Sequence, residues 1–127
     1  MLTQLNGITV SYDDIGSGMP ILFLHAFPLD RSMWAPQLGA LVRHGRCIAA
    51  DQRGFGGSSV AAPYSMDQYA DDAAALLDAL GGGAAVVAGL SMGGYIAFAF
   101  WRRHRAKVRA LARFVDGCRH AGQQHGW

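Results

Sequence analysis

Gly89-Leu-Ser-Met-Gly93 is the stretch that decides the interpretation of this sequence. It follows the apolar run Ala84–Leu90, which is typical of a buried strand, and precedes Tyr95–Arg103, which is typical of an apolar helix. A Gly-x-Ser-x-Gly sequence in this context predicts a sharp strand-to-helix turn with strained backbone at the serine. Small residues two positions before and after the serine keep the turn from clashing with its neighbours. Ser91 is therefore the candidate nucleophile.

Short strands and helices alternate on both sides of that turn. Asn6-Gly7 predicts a hairpin turn between two strands near the N-terminus. The remaining segments are predicted strands over Ile21–Leu24, Arg46–Ala50 and Val108–Val115, and predicted helices over Trp34–Val42 and Met66–Leu80. This order predicts an α/β fold in which an N-terminal hairpin precedes a mostly parallel sheet with helices on both faces. Tyr95, Phe98 and Trp101 form an aromatic stripe that we interpret as core.

Length and composition set the limits of the chemistry. The chain has 127 residues, enough for one ordinary domain, and 51% of them are hydrophobic while 16% are charged, which favours a folded core over disorder. It contains no Glu, so any carboxylate chemistry must use one of nine Asp residues. No Walker or dinucleotide-binding glycine pattern is present, and we expect no cofactor.

The charges are distributed unevenly along the chain. Residues 1–100 hold four Arg and eight Asp, whereas residues 101–127 hold seven basic residues and a single Asp. A basic end of this kind can indicate a nucleic-acid contact. No aromatic residues are interleaved in a basic stripe, and Arg102, Arg103, Arg105 and Lys107 suit the C-terminal end of a helix dipole. We therefore expect no nucleic-acid partner.

Cysteine usage and the N-terminus concern the cellular compartment. Cys47 and Cys118 lie far apart and have no metal-ligand or redox spacing, so we expect thiols and no metal site. The first residues lack a basic segment followed by an apolar one, and no uninterrupted run of about 18 apolar residues occurs. The expectation is a cytoplasmic protein with no membrane partner.

Two further motifs give the sequence a family resemblance. His25-Ala-Phe-Pro28 follows the predicted strand Ile21–Leu24, and Asp51-Gln-Arg-Gly-Phe-Gly-Gly-Ser58 follows Arg46–Ala50. Together with the Ser91 turn, this order resembles the α/β-hydrolase family, whose members commonly show His-Gly-x-Pro, Asp-x-Arg-Gly-x-Gly-x-Ser and Gly-x-Ser-x-Gly-Gly. The resemblance covers about residues 5–116, and within the family the chain looks closest to the esterase, lactonase and cofactor-free haloperoxidase branch. Ala26 departs from the family's usual glycine.

The resemblance implies a set of roles. Ser91 matches the nucleophile that attacks an ester or lactone to form an acyl-enzyme, and a serine there disfavours epoxide hydrolase chemistry, which uses Asp at this position. The backbone N–H groups of Met92 and Phe27 match the oxyanion hole. His25 is interpreted as a residue that orders the oxyanion loop, and Asp51 and Arg53 as braces of their loop.

A general base and an acid are harder to find. The family places them after the serine in the order acid, then histidine. Asp116, followed by His120 and His125, satisfies that order, and Asp116 follows a predicted strand. However, the four residues from Asp116 to His120 leave no room for the intervening strands. Asp116 is therefore only a formal candidate acid.

The missing base determines how the whole chain is interpreted. We expect residues 1–115 to be the N-terminal part of an α/β-hydrolase domain, residues 116–127 to be an unstructured or out-of-frame tail, and activity to be doubtful in so short a fragment. The alternative is a non-catalytic binding or interaction module that retains the hydrolase pocket. A final strand with an unpaired edge also predicts self-association.

Overall fold

The computed structural model describes residues 1–114, which form one six-stranded sheet with helices on both of its faces. The strands are β1 (Leu2–Leu5), β2 (Ile8–Ile15), β3 (Pro20–Leu24), β4 (Arg46–Ala50), β5 (Ala85–Leu90) and β6 (Val108–Phe114). The helices are α1 (Ala35–Leu41), α2 (Met66–Ala79) and α3 (Met92–Arg103), with short 3-10 turns at Arg31–Trp34 and Arg105–Lys107. Asp116, His120, His125 and the predicted tail 116–127 lie outside the described residues.

The sheet has the order β1-β2-β4-β3-β5-β6. Its last four strands in this order, β4, β3, β5 and β6, are parallel to one another. The hairpin strands β1 and β2 join antiparallel at one side. Asn6 (φ 47°) and Gly7 (φ 77°) form their turn with two positive φ values, as an Asn-Gly hairpin turn requires. The predicted mixed sheet with an N-terminal hairpin is thereby confirmed.

The helices cover the sheet unequally. Apolar residues of α2 and α3 pack on one face against Leu22, Leu24, Ile48 and Val87, forming the larger part of the core. On the other face, α1 and the turn before it pack Trp34 and Leu38 against Phe23 and Ala49, among other residues. Among residues 1–114, no helix combines the length and the apolar character that crossing a membrane requires.

Two residues of the aromatic stripe, Tyr95 and Phe98, are not core, which corrects the prediction from sequence, and Trp101 is only partly buried. The side chains of Tyr95 and Phe98 are 55% and 48% exposed, whereas Ile96 and Phe100 are fully buried. The helix begins at Met92, three residues before the predicted start, and its glycine-bearing face lies against the sheet. Tyr95 and Phe98 consequently point outward, where the Arg113 guanidinium stacks over both rings at 5.6 and 6.0 Å.

Three of the basic residues near the end of α3 and in the 3-10 turn after it form ion pairs with α2. Arg102 contacts Asp67 at 2.6 Å, and Arg103 contacts Asp71 at 2.8 Å. Lys107 contacts Asp78 at 2.6 Å in the same way. The basic C-terminal end of α3 therefore has acidic partners within the chain itself, on the neighbouring helix.

Candidate active site

The three sequence motifs meet at one edge of the sheet. Strands β3, β4 and β5 are parallel neighbours, so their carboxyl ends lie side by side. His25 follows β3, Asp51 follows β4 and Ser91 follows β5. This edge, at the carboxyl ends of parallel strands, is where open α/β sheets ordinarily bind ligands.

Ser91 has the backbone geometry of a strained turn. Its φ of 53° and ψ of −111° lie in a region that residues other than glycine rarely adopt, and Asn6 is the only other such residue with positive φ within residues 1–114. The turn is held on both sides: the Ser91 N–H donates to the Phe114 carbonyl at 3.0 Å, and the Gly94 N–H donates to the Ser91 carbonyl at 2.8 Å.

The Ser91 hydroxyl is not used to cap the helix that it precedes. At the start of α2, Ser65 has extended backbone and its hydroxyl accepts a hydrogen bond from the Gln68 N–H at 2.9 Å, as an N-cap serine ordinarily does. Ser91 occupies the same position before α3 but makes no side-chain cap hydrogen bond. Its side chain is exposed at the sheet edge. The strained backbone thus leaves the hydroxyl available for chemistry.

Two glycines allow this turn to lie against the sheet. A Cβ atom added at Gly89 would overlap the Gly93 backbone, and one added at Gly93 would overlap the carbonyl oxygen of Leu24. Gly94, by contrast, has room for a Cβ, with its nearest neighbours at 3.5 Å. The first turn of α3 therefore rests directly on the end of β3. This contact brings Ser91 beside the loop that begins at His25.

The candidate oxyanion donors lie on these two adjoining segments. Met92 is the first residue of α3, and Phe27 lies in the loop after β3. Within residues 1–114, neither backbone N–H has an acceptor. The helix dipole of α3 adds positive potential at its first turn. Two N–H groups and a helix N-terminus together are suited to stabilise a developing oxyanion.

His25 is buried beneath the candidate oxyanion loop and makes two hydrogen bonds. Its Nε2 accepts from the Gln52 N–H at 2.9 Å, and its Nδ1 lies 3.0 Å from the Ala26 carbonyl oxygen. Burial lowers the pKa of the imidazole, an effect partly offset by the Ala26 hydrogen bond and the negative charges of Asp51 and Asp30. With both nitrogens engaged by backbone, His25 is placed to order the loop.

Asp51 braces the loop after β4. Its carboxylate accepts from the Arg31 backbone N–H at 2.8 Å, from the Arg31 guanidinium at 2.6 Å and from the Gly57 N–H at 2.8 Å. Gly56 lies so close that a Cβ there would overlap the same carboxylate. Asp51 is thus fully engaged by structural partners, as the sequence suggested. Arg31, which no local sequence pattern marks as a site residue, supplies two of those contacts.

Arg53 pairs with the carboxylate of Asp72, which was not among the residues predicted from the sequence. Arg53 and Asp72 are 4% and 5% exposed, and two guanidinium nitrogens contact the Asp72 oxygens at 2.9 and 3.1 Å. Asn6 and Gln68 each donate a further hydrogen bond to Asp72. A signal was present in the sequence, because Asp72 falls on the apolar face of α2 between Tyr69 and Leu76. A carboxylate at such a position requires a partner.

The described part of the site has a candidate nucleophile and candidate oxyanion donors, but residues 1–114 place no base beside them. Within residues 1–114, no side chain forms a hydrogen bond with the Ser91 hydroxyl, and no group of three or more His, Cys or Asp residues is arranged to hold a metal ion. The candidate acid, Asp116, lies outside this range.

A mostly apolar cavity of about 180 Å³ adjoins the turn, lined by Met33, Trp34, Gln37, Leu90 and Phe114.

Comparison with known proteins agrees with this arrangement. A family model described as the alpha/beta hydrolase fold matches residues 19–113. The chain is 43% identical to a non-heme haloperoxidase of Rhodococcus erythropolis over 116 residues, which cover 90% of this chain and 42% of that protein.

Solved structures show the same likeness. One is a thermophilic esterase from Thermogutta terrifontis, with 43% identity, a TM-score of 0.81, and coverage of 88% of this chain and 42% of the esterase. Another is the enol-lactonase from Burkholderia xenovorans LB400, with 33% identity, a TM-score of 0.83, and coverage of 87% and 45%. The chain spans about two fifths of the length of the relatives that it matches.

Proposed function

Because this chain belongs to the alpha/beta hydrolase family, we propose that it carries the nucleophile and the oxyanion donors of a serine hydrolase acting on an ester or a lactone. The observation that supports this most strongly is Ser91 itself. The residue is exposed, its hydroxyl makes no cap bond, and its backbone is held in a strained conformation at the carboxyl end of β5. Relatives that include an esterase and an enol-lactonase agree with the substrate class.

The proposed reaction has two stages. The Ser91 oxygen bonds to the substrate's carbonyl carbon, and the carbonyl oxygen takes up negative charge that the N–H groups of Met92 and Phe27 stabilise. The C–O bond to the alcohol then breaks, and the alcohol takes the proton that Ser91 released. Water attacks the resulting acyl-enzyme, restoring the serine hydroxyl and releasing the acid. In a lactone, the alcohol and the acid remain joined in one product.

A second candidate function follows from the absence of a base beside Ser91 among residues 1–114. Since no side chain within residues 1–114 forms a hydrogen bond with the Ser91 hydroxyl, the same fold would also serve as a ligand-binding or interaction module without turnover. Such a module would retain the oxyanion donors and bind small carbonyl compounds at them. Asp116 is the proposed acid in the catalytic version only.

One experiment separates the two functions. The full chain is incubated with a fluorophosphonate probe and, separately, with a short-chain aryl ester, alongside Ser91→Ala. Ser65→Ala is the matched control, because it removes a serine hydroxyl at another helix start. Labelling and turnover that are lost only in Ser91→Ala support the hydrolase. Ligand-induced thermal stabilisation without labelling supports the module and overturns the proposed hydrolase. Adding Asp116→Asn tests the proposed acid.

A further inference from the structure

We propose that the outer edge of β6 binds an extended, acidic segment of a partner protein, which adds to the sheet as a further strand. Strand β6 is the last in the sheet order, and within residues 1–114 its outer side pairs with no other strand. Proteins recognise extended segments at such edges through main-chain hydrogen bonds, and the side chains that alternate along the strand provide the specificity. The proposal goes beyond the chemistry proposed for Ser91 and does not depend on it.

The direction of the β6 main chain follows from one hydrogen bond. The Phe114 carbonyl accepts from the Ser91 N–H at 3.0 Å, so the main-chain groups of Phe114 point toward β5. In a strand, the N–H and the C=O of one residue point to the same side, and successive residues alternate between the two sides. The N–H and C=O groups of Leu111 and Arg113 consequently point away from β5. These two residues present their main-chain donors and acceptors at the outer edge.

The side chains of β6 divide between the two faces of the sheet. Arg113 lies on the α3 face, where its guanidinium stacks over two aromatic rings of α3. Leu111 shares that face, because it is two positions away, and it is 37% exposed. On the other face, Ala112 packs against the α1 cluster, and the exposed Phe114 lines the cavity beside that helix. An added strand would therefore meet a cationic surface on one face and an apolar surface on the other.

The cations near this edge have no carboxylate partner in the described part of the chain. The basic residues at the end of α3 pair with α2, whereas no ion pair within residues 1–114 includes Arg105, Arg109 or Arg113. Aromatic rings of α3 position two of these guanidiniums instead, and that of Arg105 lies 4.3 Å from the Trp101 ring centroid. A guanidinium stacked on a ring keeps its N–H groups available to a carboxylate. The edge is therefore suited to acidic side chains.

The spacing of the arginines matches an extended segment. Arg109 is exposed near the start of β6 and Arg113 near its end. Four residues of strand separate them by about 13 Å. A neighbouring strand with acidic residues at the same interval would bring a carboxylate beside each guanidinium, and opposite charges that face each other across strands are stabilising. Residues at the alternate positions would lie beside Ala112 and Phe114. The expected segment is thus one in which acidic and apolar residues alternate.

A second copy of this chain fits the same edge less well. An antiparallel pairing of two β6 strands about Leu111 would place Arg109 of each copy opposite Arg113 of the other. Like charges directly opposite each other destabilise a strand pair. Charged side chains on an edge strand are also a common protection against the pairing of identical edges. The arginines therefore oppose the self-association expected from an unpaired edge and favour an acidic partner.

Amide hydrogen exchange of the full chain tests the position of the added strand. The probe is a capped heptapeptide in which Asp and Val alternate, beginning and ending with Asp. In the chain alone, the outward amides of Leu111 and Arg113 should exchange much faster than the inward amides of Ala112 and Phe114. Peptide at ten times its Kd should slow the outward pair about tenfold. Peptide that binds without slowing them overturns the proposal.

The same measurement without peptide tests the other occupants of the edge. Outward amides that are already protected in a monomeric chain would mean that the chain itself covers this edge. Protection that rises with protein concentration, together with dimers in sedimentation velocity, would assign the edge to a second copy. Either result overturns the proposal. A single-stranded oligonucleotide of the same charge that displaces the peptide at lower concentration would assign the surface to nucleic acid and overturn it as well.

Matched variants and peptides separate strand addition from general charge attraction. Arg113→Gln should weaken binding of the heptapeptide about two- to fivefold, as expected for one charge pair across strands. Arg43→Gln changes an exposed arginine in the turn after α1 and should leave the affinity unchanged. Equal losses in the two variants contradict the proposal.

Two further peptides test the wild-type chain, so the result does not depend on the folding of a variant. A heptapeptide of the same composition with its Asp residues contiguous keeps the charge but loses the alternation, and we expect it to bind more weakly. A heptapeptide with Asn in place of every Asp keeps the alternation but loses the charge, and we expect about fourfold weaker binding or more for two lost charge pairs. Equal affinity of either peptide and the original overturns the proposal.

Discussion

The carbonyl oxygen of Leu24 occupies the space that a Cβ on Gly93 would need. Leu24 ends β3 and Gly93 is the second residue of α3, so this contact joins the strand before the candidate oxyanion loop to the helix after Ser91. Both sides of the contact are backbone, and neither has a flexible side chain that can move aside. The relative placement of Ser91 and the His25 loop therefore depends on the absence of one methyl group.

Gly93→Ala is accordingly expected to destabilise the protein strongly. Because the added methyl would meet backbone, we expect a loss of about 3 kcal/mol or more, comparable to severe overpacking of a core. Gly94→Ala is the matched control. Its methyl would have neighbours at 3.5 Å and alanine favours the helix, so its unfolding free energy should change by less than about 1 kcal/mol. Urea denaturation of both variants measures the difference, and equal losses would contradict the contact.

The buried pair Arg53–Asp72 gives a second prediction. Asp72→Ala removes the carboxylate and leaves the guanidinium uncompensated in the interior, which should cost about 3–5 kcal/mol. Asp67→Ala is the control on the same helix. Its exposed pairs with Arg102 and Arg103 should contribute no more than about 1 kcal/mol. Chemical denaturation at low and high salt provides the test, and a cost for Asp72→Ala as small as that of the control would show that the pair is dispensable.

Stability should also depend on pH through His25. Its pKa in the folded chain is lowered from the ordinary value of 6.5, chiefly by burial. Above about pH 6.5, His25 is neutral in both the folded and the unfolded chain, and its full contribution to stability is present. Below it, the unfolded chain takes up a proton that the native state resists, so stability falls, by up to about 1.4 kcal/mol per pH unit, until the folded pKa is reached.

Urea midpoints between pH 8 and pH 5 measure this effect. Asp71, whose pKa is lowered mainly by its hydrogen bond to Arg103, contributes only at much lower pH, because its ordinary value is already 3.8. His25→Gln should remove the decline in unfolding free energy between pH 6.5 and pH 5. If that variant loses stability with the same slope, a group other than His25 causes the effect.

The sequence predicted the part of the site that local rules determine. Gly89 and Gly93 around Ser91, with a strand before and a helix after, were sufficient to locate the turn, because its close backbone contacts leave no room for a Cβ at either position. The bounds of β4 agree with the prediction, since a continuous apolar run ends at the charge of Asp51. These features depend on neighbours in the chain, which the sequence displays directly.

Features that depend on distant partners were less predictable. The outward orientation of Tyr95 and Phe98 follows from the contact of Gly93 with β3, which hydrophobicity alone does not reveal. Arg31 reaches Asp51 across 20 positions of sequence, and no local pattern indicates that pairing. Asp72 was more accessible to prediction, because its place on an apolar helix face already demanded a partner. Side-chain networks thus require the fold to be known first.

The strained backbone at Ser91 should be visible in the stability of its variants. Since its hydroxyl makes no cap bond, Ser91→Ala should leave the unfolding free energy unchanged within about 0.5 kcal/mol, whereas Ser65→Ala should cost about 1 kcal/mol for the lost cap. Ser91→Gly removes the strain of a positive φ (53°), because glycine adopts this conformation freely. After the greater freedom of glycine in the unfolded state is subtracted, this variant should be about 1 kcal/mol more stable than the wild type. Thermal and urea unfolding of the three variants tests this order. A destabilised Ser91→Gly would mean that the hydroxyl holds the turn, and that the backbone there stores no strain for catalysis.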